Sequence, residues 1–149
     1  MTVFDVTKYI LEEMGEMTTW KLQKLVYFSQ AWSLVWDERS LFEDDFEAWA
    51  NGPVVRALFN AHKGRMYINA NMLIKGDSSK LDATAKETVG VVIRDYGGLS
   101  GRELSQIAHS ERPWKEARRG IPAGESSENI INSDVMYDFY SGLDGSAEG

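Results

Sequence analysis

The sequence predicts a mainly α-helical, compact single-domain fold of five to seven helices with at most a small β-hairpin or bridge. Three observations carry that expectation. Apolar residues recur at helical spacing along most of the chain. Glycines and capping residues divide those runs into short segments. Partial β-type alternation is confined to one stretch near residues 40–50. At 149 residues the chain has the size of one domain with a real core.

Val3, Val6, Ile10, Leu11 and Met14 share the helical period and predict a first short helix, ended by Gly15. Thr18 or Thr19 caps a longer helix running to about Trp36. Its stripe is Leu22, Leu25, Val26, Trp32 and Trp36. Phe28 and Leu34 widen the apolar surface beyond one face, which marks this as the central helix. Leu41, Phe42, Phe46, Ala48 and Trp49 sit among acids and predict a short strand or bridge. In Asn51-Gly52-Pro53-Val54-Val55, Gly52 suits a tight turn and Pro53 suits a first helical position. A helix over 53–63 is therefore expected, with Val55, Leu58, Phe59 and His62 at helical spacing and Gly64 as its stop.

Residues 64–80 mix Gly, Asn, Asp and Ser with Met66, Tyr67, Ile68, Met72, Leu73 and Ile74. They read as a loop with at most a short strand or helical turn, mobile by composition. Asp82 caps the next helix, which buries Ala85, Val89, Val92, Ile93 and Tyr96 and stops at Gly97-Gly98. Ser100-Gly101-Arg102-Glu103 has the form of a capping box, opening a short helix with Leu104, Ile107 and Ala108 inward. Pro113 starts another helix, with Trp114 and Ala117, closed by Gly120. Residues 121–129 are a loop, and Ile130 and Ile131 dock in extended form. Ser133 caps a last helix over about 133–141 with Met136, Phe139 and Tyr140. Residues 142–149 read as a flexible tail, so the domain is expected to span 1–141. The five tryptophans are expected mostly in the core or at an interface.

Composition narrows the function. The chain has no cysteine, which excludes disulfides and thiolate chemistry and fits a cytoplasmic location. No apolar run approaches the ~18 residues of a membrane span, and the N-terminus lacks secretory features. Net charge is −7, with ten acids and four bases in the first fifty residues, densest at Glu43, Asp44, Asp45 and Glu47. That balance argues against nucleic-acid binding, which rests on phosphate neutralisation. Arg112, Lys115, Arg118 and Arg119 form a local basic cluster, diluted by Glu111 and Glu116; pairing within the helix explains it as well as anion contact does.

Catalytic patterns are missing. No nucleophile elbow accompanies His62 or His109, and both read as structural histidines. Two isolated histidines give no zinc spacing, and the glycines at 97–101 lack the lysine of a phosphate loop. No catalytic residue, metal or cofactor is expected, and the protein reads as a non-enzyme. Tyr27, Trp49, Asn51, His109 and Trp114 would line the best pocket. With Gly52 and Pro53, however, they read first as residues that lock the scaffold together.

Three ordered blocks carry a family resemblance. They are Lys21-Leu22-Gln23-Lys24-Leu25-Val26-Tyr27-Phe28-Ser29-Gln30-Ala31-Trp32; Leu41-Phe42 followed by Phe46-Glu47-Ala48-Trp49-Ala50-Asn51-Gly52-Pro53-Val54-Val55; and Leu99-Ser100, Glu103-Leu104-Ser105 and His109-Ser110-Glu111-Arg112-Pro113-Trp114. Over about residues 3–120 the chain resembles the Panacea domain, a SocA-like antitoxin family also met as phage-associated proteins. Ala108 stands where the resemblance expects threonine.

The resemblance implies a helical domain from bacterial toxin–antitoxin pairs or prophages. Its members typically neutralise toxins by direct binding, and at least one delivers its toxin to a housekeeping protease. The expected function is accordingly an antitoxin that binds a cognate toxin. The alternatives are a protease adaptor or a phage-encoded inhibitor of a host protein. Residues 64–80 and the acidic strip are the expected source of specificity, with Asp44, Asp45, Glu47 and Arg56 as candidate contacts.

Overall fold

The computed structural model describes residues 1–73 and 75–148, with side chains to residue 145. Ile74 and Gly149 lie outside the described residues, and with them those parts of the expected loop and tail. Seven α-helices appear among the described residues: α1 Val3–Met14, α2 Thr19–Trp36, α3 Arg56–His62, α4 Ala83–Tyr96, α5 Gly101–Ser110, α6 Arg112–Ala117 and α7 Ser133–Glu148. Two antiparallel pairs accompany them. β1 (Met17–Thr18) pairs with β4 (Tyr67–Ile68), and β2 (Glu47–Trp49) pairs with β3 (Gly52–Val54).

α2 is the axle of the fold. Every residue from Leu22 to Ser33 is buried, and α1, α4, α5 and α7 all pack against it. A helix with apolar residues on more than one face buries them only by being surrounded. Phe28 stacks on Tyr96 of α4 at 4.3 Å, and Trp32 meets Tyr140 of α7 edge-on at 5.3 Å. The stripe ends at the surface, however. Trp36 is 39% exposed, and at the other end of the helix Trp20 is 43% exposed.

Local caps explain most boundaries. Thr18 caps α2 by accepting from Lys21 N–H, and Asp82 caps α4 by accepting from Ala85 N–H. Ser100 and Glu103 form the expected capping box, and Thr2 with Asp5 forms another on α1. At α7 the cap is Asn132 rather than Ser133. Its side-chain oxygen accepts from the backbone of Asp134 at 2.8 Å and Val135 at 3.2 Å. α7 also continues to Glu148 instead of stopping near 141. Gly142 and Gly145 lower helix propensity by about 1 kcal/mol each without forbidding it.

The main correction concerns Gly52-Pro53-Val54. These residues do not begin a helix; they form β3, hydrogen-bonded back to β2 across a two-residue turn at Ala50 and Asn51. α3 begins only at Arg56. In an antiparallel pair, alternate residues turn their backbone groups away from the partner strand. Ala48 and Pro53 are opposite each other, and Ala48 N–H points outward to Asn129 O at 2.8 Å. Pro53 therefore occupies the position where a missing N–H breaks no rung of the ladder. On the outer side of β2, Ile131 N–H donates to Phe46 O at 2.8 Å and Ile130 bridges Glu47, so Ile130 and Ile131 dock in extended form as expected, joined by Asn129 from the end of the expected loop. Part of the 64–80 stretch is structured too, with β4 followed by two short 3₁₀ turns, Ala70–Met72 and Ser78–Lys80.

Candidate functional site

A cavity of about 480 Å³ opens between the start of α2, the β2–β3 hairpin, α3 and residues 126–128. Trp20, Trp49, Phe59 and Val54 give it an apolar surface; Gln23, Lys24 and His62 are the buried polar groups in its wall. A volume of this size and an apolar lining with few convergent polar groups are the marks of a ligand or side-chain pocket.

The polar wall comes from two adjacent residues of α2. The Gln23 side chain behaves as a strand partner for Val55: Oε1 accepts from Val55 N–H at 2.9 Å and Nε2 donates to Val55 O at 3.2 Å. Gln23 Nε2 also lies 3.0 Å from His62 Nε2. An amide nitrogen only donates, so His62 Nε2 accepts and the ring carries its proton on Nδ1. Burial holds the His62 pKa below its ordinary value, and Lys24 adds to the effect.

Lys24 is buried to its end. Nζ donates to Pro53 O at 2.9 Å, the carbonyl that the hairpin turns outward. Burial lowers its pKa from 10.5 to about 7. Gly52 makes room for it: φ is +122°, and a Cβ there would stand 2.5 Å from Lys24 Cε. Glycine is thus required twice, by backbone conformation and by the lysine stem.

The hairpin is tied to the helices at its turn. Trp20 Nε1 donates to Ser105 Oγ on α5, and Ser105 Oγ donates to Asn51 O at 3.0 Å. Trp114 Nε1 donates to Trp49 O at 2.9 Å, and His109 stacks on Trp114 at 4.3 Å. Arg118, only 4% exposed, lies over the Trp114 ring and donates to the carbonyls of Ala48, Pro122 and Glu125 at 2.9, 3.1 and 2.6 Å. It is a structural clasp rather than part of an exposed basic cluster. Its neighbour Arg112 is paired with Glu116 and Asp138.

Of the sequence-selected pocket residues, Trp49 and Asn51 line the cavity. Trp114 and His109 stand outside its lining, joined to it through Trp49 O and through a hydrogen bond of the His109 ring to the Asn51 backbone; His109 Nε2 itself is buried without a partner. Tyr27 belongs to a separate cluster with Phe46 and Tyr140, where its buried hydroxyl faces that of Tyr140. There Tyr140 donates to Glu111, whose pKa burial raises to about 7. Trp20, Gln23, Lys24, Phe59 and His62 were missed as cavity residues. Their one signal is the adjacent polar pair Gln23-Lys24 inside a helix whose buried stretch is otherwise mostly apolar.

The candidate contact residues separate into two kinds. Glu47 and Arg56 pair at 2.8 Å, Arg56 also reaches Glu128 at 2.7 Å, and its guanidinium lies over Trp49 at 5.2 Å. The Arg56 hydrogen bond holds the Glu47 pKa low. Asp45 is exposed and Asp44 half-buried. Among the described residues no group of three histidines or carboxylates could hold a metal ion, and no helix is long and apolar enough to cross a membrane.

These features define a class: one helical domain, built around α2, in which a clasped hairpin closes a side-chain-sized cavity. The particular family follows. The model for the SocA-like antitoxin, Panacea domain matches residues 22–115, and the chain belongs to that family. The matched stretch carries most of the cavity wall, from Gln23 to His62, together with Ser105, His109 and Trp114. No curated protein and no solved structure gives a match.

Proposed function

We propose that this protein is an antitoxin that neutralises a cognate toxin by binding it directly. The observation that carries the reading is the family match across the central helix, the hairpin and α5. The chemistry of the cavity agrees with it. Its buried lysine is spent on the Pro53 carbonyl, Gln23 is engaged in holding Val55, and the His62 ring is held by Gln23. Such a wall suits recognition of a side chain better than turnover of a substrate.

The test is co-expression with the product of the adjacent gene. Growth arrest by that product alone, relief by this protein, and a complex that survives gel filtration are the expected outcomes. A harmless neighbour, or one that stays toxic in the presence of this protein, refutes the reading. The half-life of the toxin separates sequestration, which leaves it unchanged or longer, from delivery to a protease, which shortens it.

A further inference from the structure

A second cleft, of about 670 Å³, shares Trp20 with the cavity and runs between residues 64–66 and the start of α5. Its apolar floor is Trp20 and Met66, which are 43% and 72% exposed. Tyr67, 53% exposed, continues the apolar surface along β4. Arg65 flanks one side of the cleft and Arg102 the other.

The arginines of this acidic chain are otherwise largely spoken for. Arg39 pairs with Asp82, Arg56 with Glu47 and Glu128, Arg94 with Asp95, and Arg112 with Glu116 and Asp138, while Arg118 is buried against carbonyls. Among the described residues, Arg65 and Arg102 have no carboxylate partner, and both fall on this cleft; Arg119, also unpaired, lies elsewhere beside α6. A protein of net charge −7 thus leaves two guanidinium groups without a carboxylate, Arg65 donating to Met72 Sδ at 3.4 Å, beside an exposed tryptophan and its most exposed methionine.

The floor is also held in place. The Trp20 indole is pinned by Ser105, and the Met66 backbone is fixed by Thr19 N–H donating to Met66 O at 3.0 Å. Tryptophan, methionine and arginine are the residue types enriched at interfaces, and a pre-ordered anchor loses little entropy on binding.

We propose that this cleft is the surface that docks the toxin, through a segment of the toxin carrying a large apolar side chain flanked by carboxylates. The apolar side chain lies on Trp20 and Met66, and the carboxylates pair with Arg65 and Arg102 in the fork geometry that guanidinium favours. The inference rests on the antitoxin reading and specifies its contact. It also reverses the simplest expectation from composition, which would have a basic partner meet the acidic strip.

The experiment uses the full chain and the adjacent gene product, with affinity from calorimetry and rescue of growth as paired readouts. Arg65→Glu with Arg102→Glu, and separately Met66→Asp, should each weaken binding at least roughly 30-fold, the effect of losing one interface anchor. Both sites are exposed, so the melting temperature should hold. Asp44→Lys with Asp45→Lys should change affinity less than about 3-fold, as expected of exposed charges outside an interface. If the wild type rescues growth and the cleft variants, still folded, bind as tightly, the docking surface is wrong and the antitoxin reading stands. If the wild type neither rescues nor binds, both are wrong.

Discussion

Lys24→Met is expected to stabilise the protein near neutral pH while removing a specific slope from its pH dependence. Methionine fills nearly the space of the lysine stem and needs no charge. In the native fold the amine has its pKa lowered from 10.5 to about 7 by burial. Each pKa unit is worth ~1.4 kcal/mol, so a protonated Lys24 costs the fold about 5 kcal/mol at pH 7 and below. Between pH 7 and 10.5 the unfolded chain holds the proton that the native state has released. Native stability therefore rises with pH across that window, by about 3 kcal/mol between pH 6 and 9. Removing the amine also strips Pro53 O of its donor, at about 1–3 kcal/mol for a buried acceptor. At pH 6 the variant should gain about 2–4 kcal/mol, and by pH 9 the advantage should have vanished or changed sign. Urea unfolding followed by tryptophan fluorescence at the two pH values gives both numbers, and the difference between proteins cancels the titrating groups that do not feel Lys24, leaving His62 and His109 as the coupled ones. A variant less stable at pH 6, with the same pH slope as the wild type, would show that Lys24 keeps its charge in the fold and would refute the reasoning.

Three further outcomes follow from the same geometry. Burial raises the Glu111 pKa from 4.5 to about 7 in the fold, so stability should fall as pH rises through that interval; Glu111→Gln should flatten the pH dependence of unfolding free energy between pH 5 and 8 and raise stability at pH 8, by less than about 3 kcal/mol because solvent reaches part of the carboxyl. Gly52→Ala should cost about 1–3 kcal/mol from backbone strain alone, and chemical denaturation should show a smaller loss in a Lys24→Ala background, where the Cε contact is gone. Arg118→Met leaves the carbonyls of Ala48 and Glu125 without the arginine donor, while Pro122 O keeps Glu125 N–H, and should cost about 2–3 kcal/mol or more, with faster hydrogen exchange at Ala48 and Ile131 as the local signature.

The helices were legible where local chemistry sets their ends. Asp82, Thr18 and the Ser100–Glu103 box each satisfy orphan N–H groups within one turn, so neighbouring residues suffice to predict them. Pro53 misled because its fixed φ fits a first helical turn as well as an outward-facing strand position. The choice between them is made by Lys24, which takes the Pro53 carbonyl, and by Asn129, which pairs with Ala48 from far along the chain. The cavity was half legible for the same reason. Trp49 and Asn51 sit beside a visible turn, whereas His62 becomes a wall residue only because Gln23 reaches across to it.

The pairing of α1 and α7 with α2 bears on where the molecule can be cut. The family match begins within α2 and ends within α6, yet Val6, Ile10, Met136 and Tyr140 from outside it are sealed into the same core. A fragment trimmed to 22–115 would open two flanks of its central helix to water, including the ring faces of Phe28 and Trp32 that Tyr140 covers. The matched stretch is thus smaller than what must fold together in this chain, and its central helix stays dry only while both flanking helices cover it.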